Sequence, residues 1–145
     1  MPRKDIYHDS VRRALEKDGW KITHDPFVIK LLDLTVIADL AAEKVYFDKK
    51  DNRQIVVEIK VFGGNSKTTD FEKAKGQYDI YQIAMRKNKI DSALFLAITS
   101  EVYEEYFLRP SIQEIVATAK INLLIFSSVR EEIVKWINWS GIDVF

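Results

Sequence analysis

The segment from Gln54 to Phe62 constrains this chain more than any other. Ile55, Val57, Ile59 and Val61 alternate with Val56, Glu58 and Lys60, the period-two pattern of a β-strand. Glu58 and Lys60 therefore share one face of that strand. A carboxylate and an ammonium in the middle of an apolar strand are costly to bury without a purpose. On this segment alone, an edge strand with a solvated polar face explains them equally well.

The preceding apolar run changes the balance. Asp39 interrupts Thr35-Val36-Ile37-Ala38-Asp39-Leu40-Ala41-Ala42, and the interval to Glu58 is long enough for one hairpin to set the two carboxylates side by side. Converging carboxylates make a hard-oxygen site suited to Mg²⁺ or Mn²⁺. Such an ion polarises a phosphodiester and acidifies water. Lys60 is then placed to stabilise developing phosphoryl charge or to orient the water.

Elsewhere the pattern gives a helix over His8 to Lys17, ended by Gly19, and two or three strands in a meander from Lys21 to Phe47. Asp48 to Asn52 reads as a turn. Thr68 to Lys87 is the strongest helix, starting near a Thr cap. Ser92 to Thr99 and Ile121 to Ser127 are short apolar strands of the kind buried on both faces. Glu101 to Leu108 and Pro110 to Lys120 are helical, and Arg130 to Trp139 fits a helix or a strand. This order predicts an α/β fold with a mixed central β-sheet flanked by helices. Without a repeat or linker, residues 1–145 read as one domain.

Composition narrows the function classes. With 47% apolar and 30% charged residues the chain suits a globular protein, and the absence of cysteine excludes disulfides and thiolate zinc sites. A formal net charge of zero weighs against tight non-specific DNA binding. No run of about 18 apolar residues occurs and Met1-Pro2-Arg3-Lys4-Asp5 has no apolar signal core, so the expectation is a cytoplasmic protein with no membrane contact.

Asp39 with Glu58-Ile59-Lys60 resembles the Asp…Glu-x-Lys signature of the restriction-endonuclease-like, PD-(D/E)xK, nuclease superfamily, with Ala38 where the signature has Pro. Gln77-Tyr78-Asp79-Ile80-Tyr81 resembles the Gln-x-x-x-Tyr motif of its exonuclease branch, and Gln77 and Tyr81 fall on one helical face. The resemblance implies Asp39, Glu58 and Lys60 as catalytic residues and Asp39, Glu58 and the Ile59 carbonyl as metal ligands. It also implies that Gln77 and Tyr81 contact the DNA backbone or hold Lys60.

A closer resemblance spans most of the chain. Lys4-Asp5-Ile6-Tyr7-His8, Lys17-Asp18-Gly19-Trp20-Lys21-Ile22-Thr23-His24-Asp25-Pro26, Asp39-Leu40, Val57-Glu58-Ile59-Lys60 and Gly76-Gln77-Tyr78 are similar to the XisH family, the mostly cyanobacterial fdxN element excision controlling factors. That resemblance implies a role in programmed DNA rearrangement beside a site-specific recombinase and a small XisI-type protein. A metal-dependent DNA nuclease, a non-catalytic DNA- or recombinase-binding factor, and a subunit of a toxin-like or defence complex all stay open. Retention of Asp39, Glu58 and Lys60 together favours the nuclease.

Further residues have two readings each. Glu43 is a fourth candidate at the site or a salt-bridge partner. Asp5, Asp9 and, less so, Glu16 on the first helix are acidic candidates for the site, with helix capping the simpler role of Asp5 and Asp9. His8 and His24 read as hydrogen-bonded structural residues. Lys67, Lys73, Lys75, Arg12 and Arg13 could track a phosphate backbone or form solvated helix faces. Trp136, Trp139 and Phe145 suggest an interface, and with it a homodimer or a complex with a small partner.

Overall fold

A computed structural model describes residues 6–45, 53–141 and 144. Helix α1 (His8–Lys17) buries Val11, Ala14 and Leu15 along one stripe, and Gly19, at φ 94°, turns the chain out of it. Four short strands follow: β1 (Lys21–His24), β2 (Phe27–Lys30), β3 (Thr35–Ala38) and β4 (Leu40–Lys44). Strand β5 (Arg53–Ile59) leads to α2 (Lys67–Lys87), β6 (Ala93–Thr99), a short α3 (Ser100–Val102) that runs into a π-helical turn (Tyr103–Phe107), α4 (Pro110–Ala119), β7 (Leu123–Ser127) and β8 (Glu132–Ile137).

The expected mixed sheet forms, with strand order β1-β4-β5-β6-β7-β8. Strands β5, β6 and β7 are parallel, and the flanking pairs β1–β4, β4–β5 and β7–β8 are antiparallel. The meander is not a simple one. Strands β2 and β3 pair with each other as a separate two-stranded sheet, and β1 skips past them to join β4. Long-range pairing of this kind has no local signature in sequence.

The alternation in β5 separates two cores. Ile55, Val57 and Ile59 face α1 with Val11, Leu15, Trp20 and Phe95. Val56 faces α2 and α4 with Phe71, Tyr78, Met85 and Ile112. Both faces of β6 are buried throughout, which is why Ala93-Leu94-Phe95-Leu96-Ala97-Ile98-Thr99 carries no alternation.

Several boundaries differ from the sequence reading for physical reasons. The α2 cap is Ser66, whose hydroxyl accepts from the Thr69 N–H at 3.2 Å, rather than a Thr. The stretch expected as one helix from Glu101 becomes a π turn, and the extra residue in it lets the adjacent Tyr106 and Phe107 both point into the core. Segment 132–137 resolves as an edge strand with a register shift opposite Ile125 and Phe126, a bulge that discourages pairing with another chain. The turn expected at Asp48 to Asn52 lies outside the described residues.

Phe95 is fully buried in the central strand, with its ring 5.0 Å from Trp136, while Leu32 at the β2–β3 tip is fully exposed. Phe95→Ala is expected to lower the unfolding free energy by ~3–5 kcal/mol in chemical denaturation. Leu32→Ala is expected to change it by less than about 0.5 kcal/mol. Comparable losses from the two variants would contradict this assignment of the core.

Candidate functional site

The β4–β5 register sets Leu40 opposite Val57, which leaves Asp39 beside Glu58. Asp39 sits in a bend between β3 and β4, where the chain passes from the small sheet into the large one. Two hydrogen bonds lock this junction. The Asp39 backbone N–H donates to Glu58 Oε1 at 3.2 Å, and the Ile59 backbone N–H donates to Asp39 Oδ2 at 2.7 Å. Each carboxylate thus accepts from the backbone of the other's strand. The two carboxyl groups are close enough for Asp39 to act on Glu58 both by charge and by a side-chain hydrogen bond.

Glu58 is buried, and Lys60 Nζ lies 3.4 Å from its Oε2. The Lys60 backbone N–H donates to the Ala97 carbonyl at 2.9 Å, so the strand geometry that aims Lys60 continues past the end of β5. From α2, the Tyr81 hydroxyl lies 2.9 Å from the Ile37 carbonyl and 3.5 Å from Glu58 Oε2. With one proton to give, the hydroxyl donates mainly to Ile37. Burial, then the charges of Glu58 and Asp39, raise the Tyr81 pKa, so the hydroxyl stays protonated. One turn earlier on the same helical face, Gln77 Oε1 is buried and accepts no hydrogen bond.

Burial first, and then the neighbouring Asp39 charge, push the Glu58 carboxyl up to about 8, with Lys60 only partly opposing them. Two carboxylates against one ammonium leave the site short of positive charge. A proton on Glu58 makes up that deficit near neutral pH, and a divalent cation is the other way to supply it. The available donors, the Asp39 and Glu58 carboxylates, are all oxygen and fit Mg²⁺ or Mn²⁺. Among the described residues no group of three acidic or histidine side chains gathers, so remaining ligands would come from backbone or water, as Mg²⁺ commonly accepts.

Other sequence candidates are placed elsewhere. Glu43 sits opposite Gln54, roughly 13 Å along the strand from Glu58 at ~3.3 Å per residue. It keeps the same face of the sheet as Glu58 but stands too far along the strand to reach it. Arg12 lies on α1, across the sheet from Glu58, where it bonds Asp25 at 2.6 Å. His8 is buried with Nε2 2.7 Å from the same carboxylate, and His24 pairs with the Thr23 hydroxyl. Asp9 is exposed in the first turn of α1 and caps nothing, Glu16 lies 3.8 Å from Arg12, and Asp5 falls outside the described residues. Lys67 pairs with Glu105 at 3.8 Å, Lys75 with Asp79 and Arg13 with Glu131, while Lys73 is exposed. Trp136 is half-buried and packs on Trp20 and Phe95, Trp139 remains 44% exposed, and Phe145 lies outside the described residues. The sequence reading missed the Ile59 N–H and the Ile37 carbonyl, because backbone groups carry no residue signature.

The fold and site together define a mixed α/β protein with a carboxylate pair, buried Glu58 and half-buried Asp39, and a lysine at the end of a central strand. The XisH protein family model matches residues 1–134, and the chain belongs to that family. A crystal structure of an XisH family protein from Nostoc punctiforme PCC 73102 superimposes with a TM-score of 0.82 at 33% identity, covering 92% of this chain and 100% of that one. A crystal structure described as an fdxN element excision controlling factor protein from Anabaena variabilis gives 0.82 at 32% identity, covering 93% and 100%. No curated protein sequence matches the chain.

The raised Glu58 pKa has a definite sign. The folded chain keeps this proton up to about pH 8 and the unfolded chain loses it near 4.5. The stability it contributes is fully present below the lower value and is lost as pH rises through the upper one. The thermal midpoint of ion-free protein is therefore expected to fall between about pH 5 and pH 8. Glu58→Gln should flatten that fall, and Mn²⁺ should oppose it toward the alkaline end. Identical pH profiles for wild type and Glu58→Gln would refute the buried, protonated carboxyl.

Proposed function

We propose that this chain is a divalent-metal-dependent DNA nuclease of the restriction-endonuclease-like type, acting in excision of a DNA element by site-specific recombination. The observation that carries this reading is the convergence of Asp39, buried Glu58 and Lys60 at the end of β5. The description of the Anabaena variabilis relative as an excision controlling factor supplies the biological setting. A recombinase and a small XisI-type protein are the proposed partners, beside DNA itself.

Asp39 and Glu58, with the Ile59 carbonyl, would hold Mg²⁺ or Mn²⁺, and the ion when bound supplies positive charge for polarising a phosphodiester and acidifying water. The chain's own groups do the rest. Lys60 presents its ammonium 3.4 Å from Glu58, where negative charge on a phosphoryl group would grow. Tyr81 ties α2 to the Ile37 carbonyl and so fixes the helix that carries Gln77. Lys67 and Lys73, in the first two turns of the same helix, are the cations proposed to meet the flanking phosphates.

A non-catalytic excision factor that uses the same fold to bind DNA or a recombinase is the second reading, and the zero formal net charge favours it. Lys60→Met separates the two, because it keeps the apolar stem and removes the charge. In the nuclease it should leave DNA affinity nearly intact and slow cleavage by about 10²-fold or more. In a binding factor it should weaken affinity modestly and reduce the salt slope by about one unit. Wild-type protein inactive on duplex, single-stranded and branched DNA, with Mn²⁺ and its partner present, would end the nuclease reading.

A further inference from the structure

A polar cleft of about 330 Å³ opens at the end of the sheet opposite the carboxylate pair. Its walls come from Gln82 on α2, Asp91 to Leu94 at the start of β6, Lys120 and Asn122 before β7, and Trp139 after β8. Ala93, in this cleft, is four residues before Ala97, the partner of Ile59, so the two sites stand roughly 13 Å apart along β6.

The cleft floor is a closed network of buried polar groups. The Tyr78 hydroxyl donates to the Leu94 carbonyl at 3.3 Å and accepts from the Asn122 N–H at 3.1 Å. Asn122 is 4% exposed, and its side-chain amide donates to the Leu94 carbonyl at 3.0 Å. Its Oδ1 accepts from the Trp139 N–H at 2.7 Å. The Trp139 indole N–H donates to the Ile121 carbonyl at 3.1 Å. A large aromatic ring is thus pinned at its backbone and its indole nitrogen while it stays 44% exposed. Closing the core does not require that exposure, since Trp136 already fills the neighbouring space.

Charges of both signs line the cleft and its neighbours: Asp91 stands with Lys120 in the cleft, Asp79 with Arg86 and Glu43 with Lys89 in the depressions beside it. Lys120 lines it, and Arg86 and Lys89 line the two depressions that adjoin it through Gln82 and through Asp91 and Ser92. Among the described residues none of these three cations pairs with a carboxylate, a property they share with exposed lysines such as Lys21, Lys30 and Lys73. Helix C-termini attract cations for their own sake, and Arg86 serves α2 in that way. Lys120, the left-handed cap of α4, complements that helix's dipole in the same way and also lines the cavity beside the fixed aromatic ring. Asp91, an acidic side chain in the cleft, is an acceptor for an amino group.

We propose that this cleft binds a nucleoside phosphate that carries an amino-bearing base. The base stacks on Trp139, its exocyclic amine donates to Asp91, and its phosphate meets Lys120. A free nucleotide and an unpaired nucleotide of single-stranded DNA present the same chemistry. The site stands independently of the nuclease reading.

The test is titration of the intact chain in EDTA, which silences the Asp39–Glu58 pair, with dAMP, inorganic phosphate and a short oligo(dA). Binding is read from the Trp139 indole N–H resonance and from tryptophan fluorescence. The expected result is a saturable shift with dAMP, with oligo(dA) or with both, and at least about fivefold weaker binding of phosphate alone. Saturation by dAMP only assigns a free nucleotide, and equal or tighter binding of oligo(dA) assigns a DNA strand. Trp139→Ala should weaken dAMP binding at least about fivefold and Trp139→Phe much less. Lys120→Glu, an exposed substitution that spares the buried network, should weaken it similarly, so a folding defect in the Trp variant leaves the outcome decidable. No shift with any ligand, phosphate binding as tightly as dAMP, or wild-type affinity in Lys120→Glu would overturn the proposal.

Discussion

The reciprocal pair of hydrogen bonds between Asp39 and the Glu58–Ile59 backbone is the constraint around which the site is arranged. Each carboxylate is an acceptor for a main-chain N–H of the adjacent strand, so neither can shift without breaking the β4–β5 ladder at its end. Buried carboxylates are tolerated when their lone pairs are used and their charge is compensated. Here the lone pairs are used and the charge is only half compensated, because among the described residues Lys60 is the single ammonium in contact. The structure therefore carries a deliberate electrostatic deficit in its interior, and the raised Glu58 pKa is its direct expression.

That deficit depends on the excursion of β2 and β3 out of the main sheet. Their departure forces the bend at Asp39, and the bend turns a residue that would have alternated along a continuous strand into one that closes on Ile59. Tyr81 bridges the excursion back to α2 through the Ile37 carbonyl. The small sheet, the helix and the carboxylate pair are thus one mechanical unit. The face of β5 toward α1 is by contrast purely apolar packing.

How much of this was legible in the sequence follows from which interactions are local. The alternation through Ile55 to Lys60 was readable because side-chain direction in a strand is fixed by parity, and both cores follow from it. The spacing of Gln77 and Tyr81 placed both on one helical face, and Tyr81 does reach Glu58. The split of the expected meander into two sheets was not readable, because β1 meets β4 across intervening residues that give no local sign of it. Glu43 keeps the face that parity gave it, and distance along the strand rather than direction takes it away from the site. Arg12 looked like a free cation until the fold brought Asp25 to it. Trp136 and Trp139 looked alike in sequence, yet one faces Phe95 and the other faces solvent, a difference set by the register of β8.

The central claim is that Asp39 and Glu58 share one divalent ion. The most direct measurement is anomalous diffraction from crystals of the protein grown with Mn²⁺ near pH 8, compared with Asp39→Ala crystals treated alike. The account predicts one anomalous peak within the ~2.0–2.6 Å oxygen-ligand range of both carboxylates, absent from the variant. A wild-type map with no peak between Asp39 and Glu58 at saturating Mn²⁺, or a peak that persists in Asp39→Ala, would contradict it.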